Sequence, residues 1–282
     1  MRLFLLTTLT MCAFAANSLL NRVAVESQSI DPSSFAFIRV LSGAAVLGLI
    51  VVFRGGGLQP FRRVRLIGAL SLSAYMIGFS LAYITLDAGL GALILFGTVQ
   101  IGMFLWSALT GSRPTARQMA GAGIAFGGLM LALWPEDGGA TGLGGAGFMV
   151  IAGLGWAAYT LSGRGAADPI AATAANFILA LPVMLLFLPA FSPVGDFNGI
   201  ALAVISGAVT SGLGYALWYR ILPDHTPQAA AVIQLCVPVI AILGGAVLLG
   251  ENVTPVLSLA AALVVGGIAL AVTSRSVPAR RS

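Results

Sequence analysis

Phe14-Ala15-Ala16-Asn17-Ser18-Leu19 returns in the second half of the chain as Trp156-Ala157-Ala158-Tyr159-Thr160-Leu161, and each copy leads to an arginine three residues on, Arg22 and Arg164. Further correspondences keep the same order. Asp31-Pro32 answers to Asp168-Pro169, and Gly78-Phe79-Ser80-Leu81-Ala82-Tyr83 to Gly214-Tyr215-Ala216-Leu217-Trp218-Tyr219. Gly111, Thr115 and Gly127-Gly128 answer to Gly250, Thr254 and Gly266-Gly267. Matches in one order across most of both halves mark an internal repeat. They divide the chain into residues 1–137 and 138–282.

Within this frame, apolar runs and their punctuation predict helices at about 3–21, 32–53, 65–86, 89–109, 116–134, 144–162, 169–190, 199–221, 227–249 and 254–273. Asp31-Pro32 and Asp168-Pro169 open helices two and seven as an N-cap followed by proline in the first turn. Arg54, Gly55-Gly56-Gly57 and Pro60 close helix two, and the Gly-rich stretch from Pro135 to Gly145 separates the halves. The expected fold is an all-α polytopic membrane protein of ten transmembrane helices in two five-helix repeats. Met1-Arg2, the apolar run and Ala13-Phe14-Ala15 imitate a secretory signal, but this segment has its counterpart at helix six and is expected to be retained.

An odd number of spans per repeat requires the second repeat to enter the membrane inverted. The arginines support this. With the N-terminus inside, all fourteen basic residues except Arg22 and Arg39 fall in cytoplasmic segments, as the positive-inside rule asks. Equivalent loops reverse their chemistry: Arg54, Arg62, Arg63 and Arg65 stand around the loop between helices two and three, and Asp196 stands alone between helices seven and eight. Arg113 and Arg117 are likewise answered by Glu251. Both termini are expected in the cytoplasm, at a bacterial-type inner membrane.

Composition agrees. Charged residues make up 8% of the 282 and hydrophobic residues 59%, with a mean hydropathy of +1.01, whereas a soluble domain carries about 25% charged residues. Such a chain needs lipid as its solvent, at roughly 20 apolar residues per span. The net charge of +5 reflects orientation in the membrane, not nucleic-acid binding. Cys12 and Cys236 lie in apolar runs and are expected as small core residues, not as a disulfide or metal site.

The chain resembles the drug/metabolite transporter superfamily in its ten-helix EamA branch. The resemblance is carried by the five-plus-five repeat, by Ile38-Arg39-Val40 in helix two, and by the run from Pro238 through Leu249-Gly250-Glu251-Asn252-Val253-Thr254. The first half keeps Gly111 and Thr115 but has Ser112 where the family commonly has Glu. Within the branch the chain is most similar to YddG-type exporters of aromatic and other neutral amino acids. The resemblance implies export of small metabolites by alternating access through a central cavity between the repeats. Uptake, or export of cationic drugs by the same fold, is the alternative reading. The partners implied are a small-molecule substrate and the bilayer, in a monomer or weak dimer.

Inverted-repeat carriers place the site near the midplane, at the repeat interface. On helix one, Thr10, Phe14, Asn17 and Asn21 share one face. An amide in lipid is costly, so Asn17 is expected to line the cavity or to bond a neighbouring helix. Tyr75 and Phe79 on helix three, Trp156 and Tyr159 on helix six, and Tyr215 on helix eight are candidate lining residues, with core packing as their ordinary alternative. Tyr83 and Tyr219, near helix ends, read as anchors or gates. Gln100 and Gln234 are mid-span amides with the same two readings. Arg39 costs about 2.5–3.5 kcal/mol at a helix centre on insertion scales. It either binds a substrate carboxylate or reaches outward to tie down backbone and acid groups.

Other motifs carry less. Gly142-Leu143-Gly144-Gly145-Ala146-Gly147 fits G-x-G-x-x-G but precedes a span and follows no strand. Gly123-Ile124-Ala125-Phe126-Gly127 is a small-xxx-small pattern expected to let helices approach closely. Asn252-Val253-Thr254 spells a glycosylation sequon too near the membrane to be used. His225 is the single histidine, and no nucleophile–base pair or metal-ligand spacing is present. An intramembrane enzyme is therefore disfavoured, and no cofactor or metal is expected. All nine acids map to loops or helix ends, away from the mid-membrane positions of proton relays. Glu251 is the acid best placed to reach a cavity. The topology has a direct test. A cysteine placed at position 276 (Ser276→Cys) should stay unlabelled when intact cells meet an impermeant thiol reagent, and ready labelling would reject ten spans.

Overall fold

The computed structural model describes residues 1–58, 63–110, 115–132, 141–163, 166–188, 195–225 and 233–273. Pro60, Arg62, Gly111, Ser112, Arg113, residues 133–140 of the mid-chain stretch, Arg164, Pro227 and Ser276 lie outside the described residues. Among the described residues ten helices follow in chain order: α1 (Arg2–Glu26), α2 (Pro32–Phe53), α3 (Arg63–Ala82), α4 (Ala88–Leu109), α5 (Ala116–Ala132), α6 (Thr141–Gly163), α7 (Pro169–Leu185), α8 (Phe197–Asp224), α9 (Cys236–Leu249) and α10 (Pro255–Val272). Seven are long and apolar enough to cross a bilayer, and α5, α7 and α9 are shorter. No strand occurs among the described residues.

The helix starts follow from local chemistry. Asp31 accepts hydrogen bonds from the Ser33 and Ser34 amides, and Asp168 from those of Ile170 and Ala171, each with proline next in sequence. Thr115 and Gln118 exchange side-chain bonds at the head of α5, and Thr254 caps α10 through the Leu257 amide. Gly250 ends α9 at φ 70°, a left-handed turn that glycine adopts without steric cost. Several boundaries differ from the sequence reading: α3 ends at Ala82 and α7 at Leu185, short of the expected 86 and 190, and two helices run longer. α1 runs on to Glu26 because Arg22 finds partners there and need not end the helix. α8 continues to Asp224 and contains a π-helical segment, Ile205–Leu213.

Packing joins early helices to late ones. α5 lies along α10, α3 along α6, α2 along α7 and α8, α4 along α6 and α9, and α1 along α8 and α9. Large apolar side chains such as Phe53, Leu109, Phe126, Leu186 and Val247 are exposed on the outside, a surface stable only against lipid. Cys12 and Cys236 belong to this outer surface. The expectation that they are core residues is corrected: an apolar run in a lipid-embedded helix gives no inside preference, because lipid is as apolar as the core.

The α5–α10 contact corrects a second expectation. Gly123 and Gly127 face open space, while Gly121, Gly128 and Gly267 make the close approach. A Cβ on Gly267 would stand 2.6 Å from the Ala125 nitrogen and the Gly121 oxygen. The small residues were legible, but which helical face meets α10 was not. Gly267→Val should therefore lower stability by about 1–3 kcal/mol through overpacking, while Gly127→Ala changes it by less than about 1 kcal/mol. Thermal unfolding of purified protein would measure both, and equal effects would reject this contact.

Candidate functional site

The polar face predicted on α1 is turned inward. Thr10, Asn17 and Asn21 are buried, and Asn17 is the point where α1 meets α8. Its Oδ1 accepts hydrogen bonds from Ser206 (2.8 Å), Thr210 (2.6 Å) and Ser211 (3.4 Å). In α-helical winding, at about 100° per residue, Ser211 would stand about 140° around the axis from Ser206. The π segment winds more widely, with i→i+5 bonding, and brings all three hydroxyls to one acceptor.

Ser211 extends this network to Arg39. The Arg39 Nε donates to Ser211 Oγ at 3.1 Å, and another guanidinium nitrogen donates to the Tyr75 hydroxyl at 3.1 Å. The guanidinium also lies over the Tyr75 and Phe79 rings, 5.5 and 5.0 Å from their centroids. Arg39 is fully buried. It does not reach outward to acids or loop backbone; its partners are hydroxyls and ring faces inside the bundle. α8 comes this close to α2 because position 207 is glycine, where a Cβ would strike Ser42 and the Arg39 carbonyl.

An aromatic chain encloses the space beside this network. Tyr75 packs against Phe79 at 5.4 Å and Trp156 at 4.9 Å, Trp156 against Tyr159 at 5.3 Å and Tyr215 at 5.4 Å, and Tyr215 against Phe14 at 5.6 Å. Asn17, Tyr75, Phe79, Trp156, Tyr215 and Gln234 all border a narrow central pocket together with Phe14 and Ser18. Tyr159 borders a crevice of about 340 Å³ that shares Phe14, Trp156, Tyr215 and Gln234 with the pocket and leads to Gly163, Pro169 and Leu222. Gln100 borders neither cavity, and Arg39 stands one residue behind the pocket wall. Ser18, Asn176, Ser206 and Thr210 belong to the site and were not singled out from sequence. The Ser206–Thr210 spacing was the available signal, but which way α8 faces is a property of the fold.

The two ends of the bundle differ. At the end carrying Arg22, the arginine donates to the Tyr83 carbonyl at 3.1 Å and pairs with Glu26 and Asp87 at 2.9 and 3.4 Å. Asp87 precedes α4 but caps none of its amides with its side chain. Glu251 does so from the α9–α10 turn, accepting from the Ala88 amide at 2.6 Å and the Gly89 amide at 3.3 Å. Burial pushes the Glu251 carboxyl above the usual range, and the two amide donors partly offset this. This acid borders neither cavity. Tyr83 is fully buried beneath the same end, so it is no interface anchor. Tyr219 lines the crevice, and the opposite end, with Arg54 and Arg220, opens into a cleft of about 580 Å³.

Residues 143–273 match the sequence model of the EamA-like transporter family. An uncharacterized Pseudomonas aeruginosa protein is 46% identical over 276 residues, covering 97% of this chain and 96% of the relative. An uncharacterized transporter of Archaeoglobus fulgidus is 24% identical over 252 residues, covering 87% and 90%. A solved crystal structure superposes with a TM-score of 0.61 at 22% identity over 94% of this chain and 95% of that one, a likeness of fold.

The cap on α4 gives a measurable consequence. Glu251→Ala should destabilise the protein by about 1 kcal/mol, the usual cost of losing a helix N-cap, and Glu251→Gln should restore part of it. Thermal unfolding in detergent would report both, and an unchanged midpoint in Glu251→Ala would reject the cap.

Proposed function

We propose that this chain, which belongs to the EamA-like transporter family, exports small net-neutral metabolites, aromatic and other neutral amino acids first among them, through the cavity between its two halves. The observation that carries the reading is the ring-lined pocket. Tyr75 and Phe79 come from the first half, Trp156 and Tyr215 from the second, so a relative motion of the halves opens or closes it. Flat apolar rings with a few polar groups suit a substrate with an aromatic or aliphatic side chain. The sequence resemblance to YddG-type exporters points to the same class.

The pairing of α5 with α10, α2 with α7 and α4 with α9 is what a two-fold relation between inverted repeats would produce, and it supports that arrangement. Under the positive-inside rule, the end with Arg2, Arg54 and Arg220 faces the cytoplasm. The crevice then loads from the cytoplasmic side while the Arg22–Glu251 end is shut, which favours export over uptake. No carboxylate borders the pocket or the crevice among the described residues, so movement down the substrate gradient needs no obligatory proton exchange.

Reconstituted protein should equilibrate labelled phenylalanine with no pH gradient or membrane potential imposed. Tyr75→Ala, Trp156→Ala and Tyr215→Ala should each cut the initial flux at least about tenfold, equivalent to about 1.4 kcal/mol, while reducing folded protein far less. Flux that falls only in proportion to protein level would make these packing residues. Flux that depends wholly on an imposed proton gradient would overturn the uncoupled mechanism.

A further inference from the structure

Arg39 places a full positive charge in the middle of the bundle, and its surroundings do not neutralise it. The ion pairs among the described residues are those of Arg22 with Glu26 and Asp87, and no carboxylate reaches Arg39. Its partners are two neutral hydroxyls and two rings. One of its guanidinium nitrogens is buried with no hydrogen-bond partner, although guanidinium donors are costly to leave unmade. Arg65, also on α3, is buried as well, and its Nε has no hydrogen-bond partner among the described residues.

We propose that the central cavity selects substrates bearing a carboxylate and rejects organic cations, with Arg39 as the positioning residue that sets this charge preference. The inference rests on the ring-lined pocket being the substrate site. Tyr75 and Phe79 touch both the pocket and the guanidinium, and Asn17 touches the pocket and, through Ser211, the same group. A carboxylate entering beside Tyr75 and Asn17 meets the end of a hydrogen-bond chain polarised by a cation, in a setting of low dielectric where charge interactions are strong. A cation entering there meets repulsion, with no acid among the described lining residues to offset it. The orphaned nitrogen leaves the guanidinium charge incompletely compensated behind the pocket wall.

Ligands with the same ring and different charge test this. Phenylalanine counterflow in proteoliposomes is measured with 3-phenylpropionate, which lacks the ammonium, and 2-phenylethylamine, which lacks the carboxylate, as competitors. In the unaltered protein the acid should compete at least about tenfold better than the amine. Arg39→Met should bring the two competitors within about twofold of each other, and Arg39→Lys, which keeps the charge, should retain most of the preference. Should Arg39→Met fail to reach the membrane folded, Tyr75→Phe takes its place. It keeps the ring and removes the hydroxyl that relays the charge, so the ratio should shrink by about threefold or more. An amine that competes as well as the acid, or a ratio unchanged in the folded variants, overturns the proposal. Trp156→Ala separates the two readings: it should weaken both competitors alike, and if it weakens neither while the Arg39 effect stands, the pocket assignment fails and the charge preference survives.

Discussion

The carbonyl oxygen of Asn17 organises the interior of this protein. Three hydroxyls of α8 converge on it, one of them carries Arg39, and Arg39 in turn holds the hydroxyl of Tyr75. One amide thus ties α1, α8, α2 and α3 into a single polar network. In a bundle surrounded by lipid, apolar contact hardly distinguishes a helix neighbour from a lipid tail. Polar groups that must find partners do distinguish them, because an unmade hydrogen bond in hydrocarbon is expensive. The network therefore specifies which helices meet and in what rotation, and it places the ring wall of the pocket beside a buried charge.

Close backbone approach does the rest. Glycines at 121, 128 and 267 let α5 and α10 touch along their length, and Gly207 lets the π segment of α8 sit on the backbone of α2. The π winding is itself part of the site, since it gathers Ser206, Thr210 and Ser211 onto one acceptor. π-helical winding is rare and is found frequently at functional sites, which agrees with its place here at the centre of the polar network.

The asymmetry of the two ends follows from loop chemistry. Gly250 turns the chain in a left-handed conformation and aims Glu251 at the free amides of α4, while Asp87, the residue that would ordinarily cap that helix, is engaged by Arg22. One exchange of partners thus closes this end with charge-assisted bonds. The opposite end has no equivalent closure among the described residues, and the crevice opens there.

Much of this was legible in the chain alone. Hydrophobic spans, Asp-Pro starts and the distribution of arginines depend on the residue and its near neighbours, and they determined the helices, their number and the membrane setting. Asn17, Tyr75, Phe79, Trp156, Tyr215 and Gln234 could be chosen because polar or large aromatic side chains in a span must be accommodated somewhere. The tertiary structure alone decided where. Gly121 packs and Gly123 does not, Cys12 faces outward, and Gln100 lies away from both cavities, because helical periodicity gives a set of faces without saying which neighbour each one meets. Glu251 looked like an acid free to enter the cavity and is an N-cap for a helix far away in sequence. Arg39 was readable as a costly charge, but its confinement between hydroxyls and rings, with no acid within reach among the described residues, arises only when four helices converge.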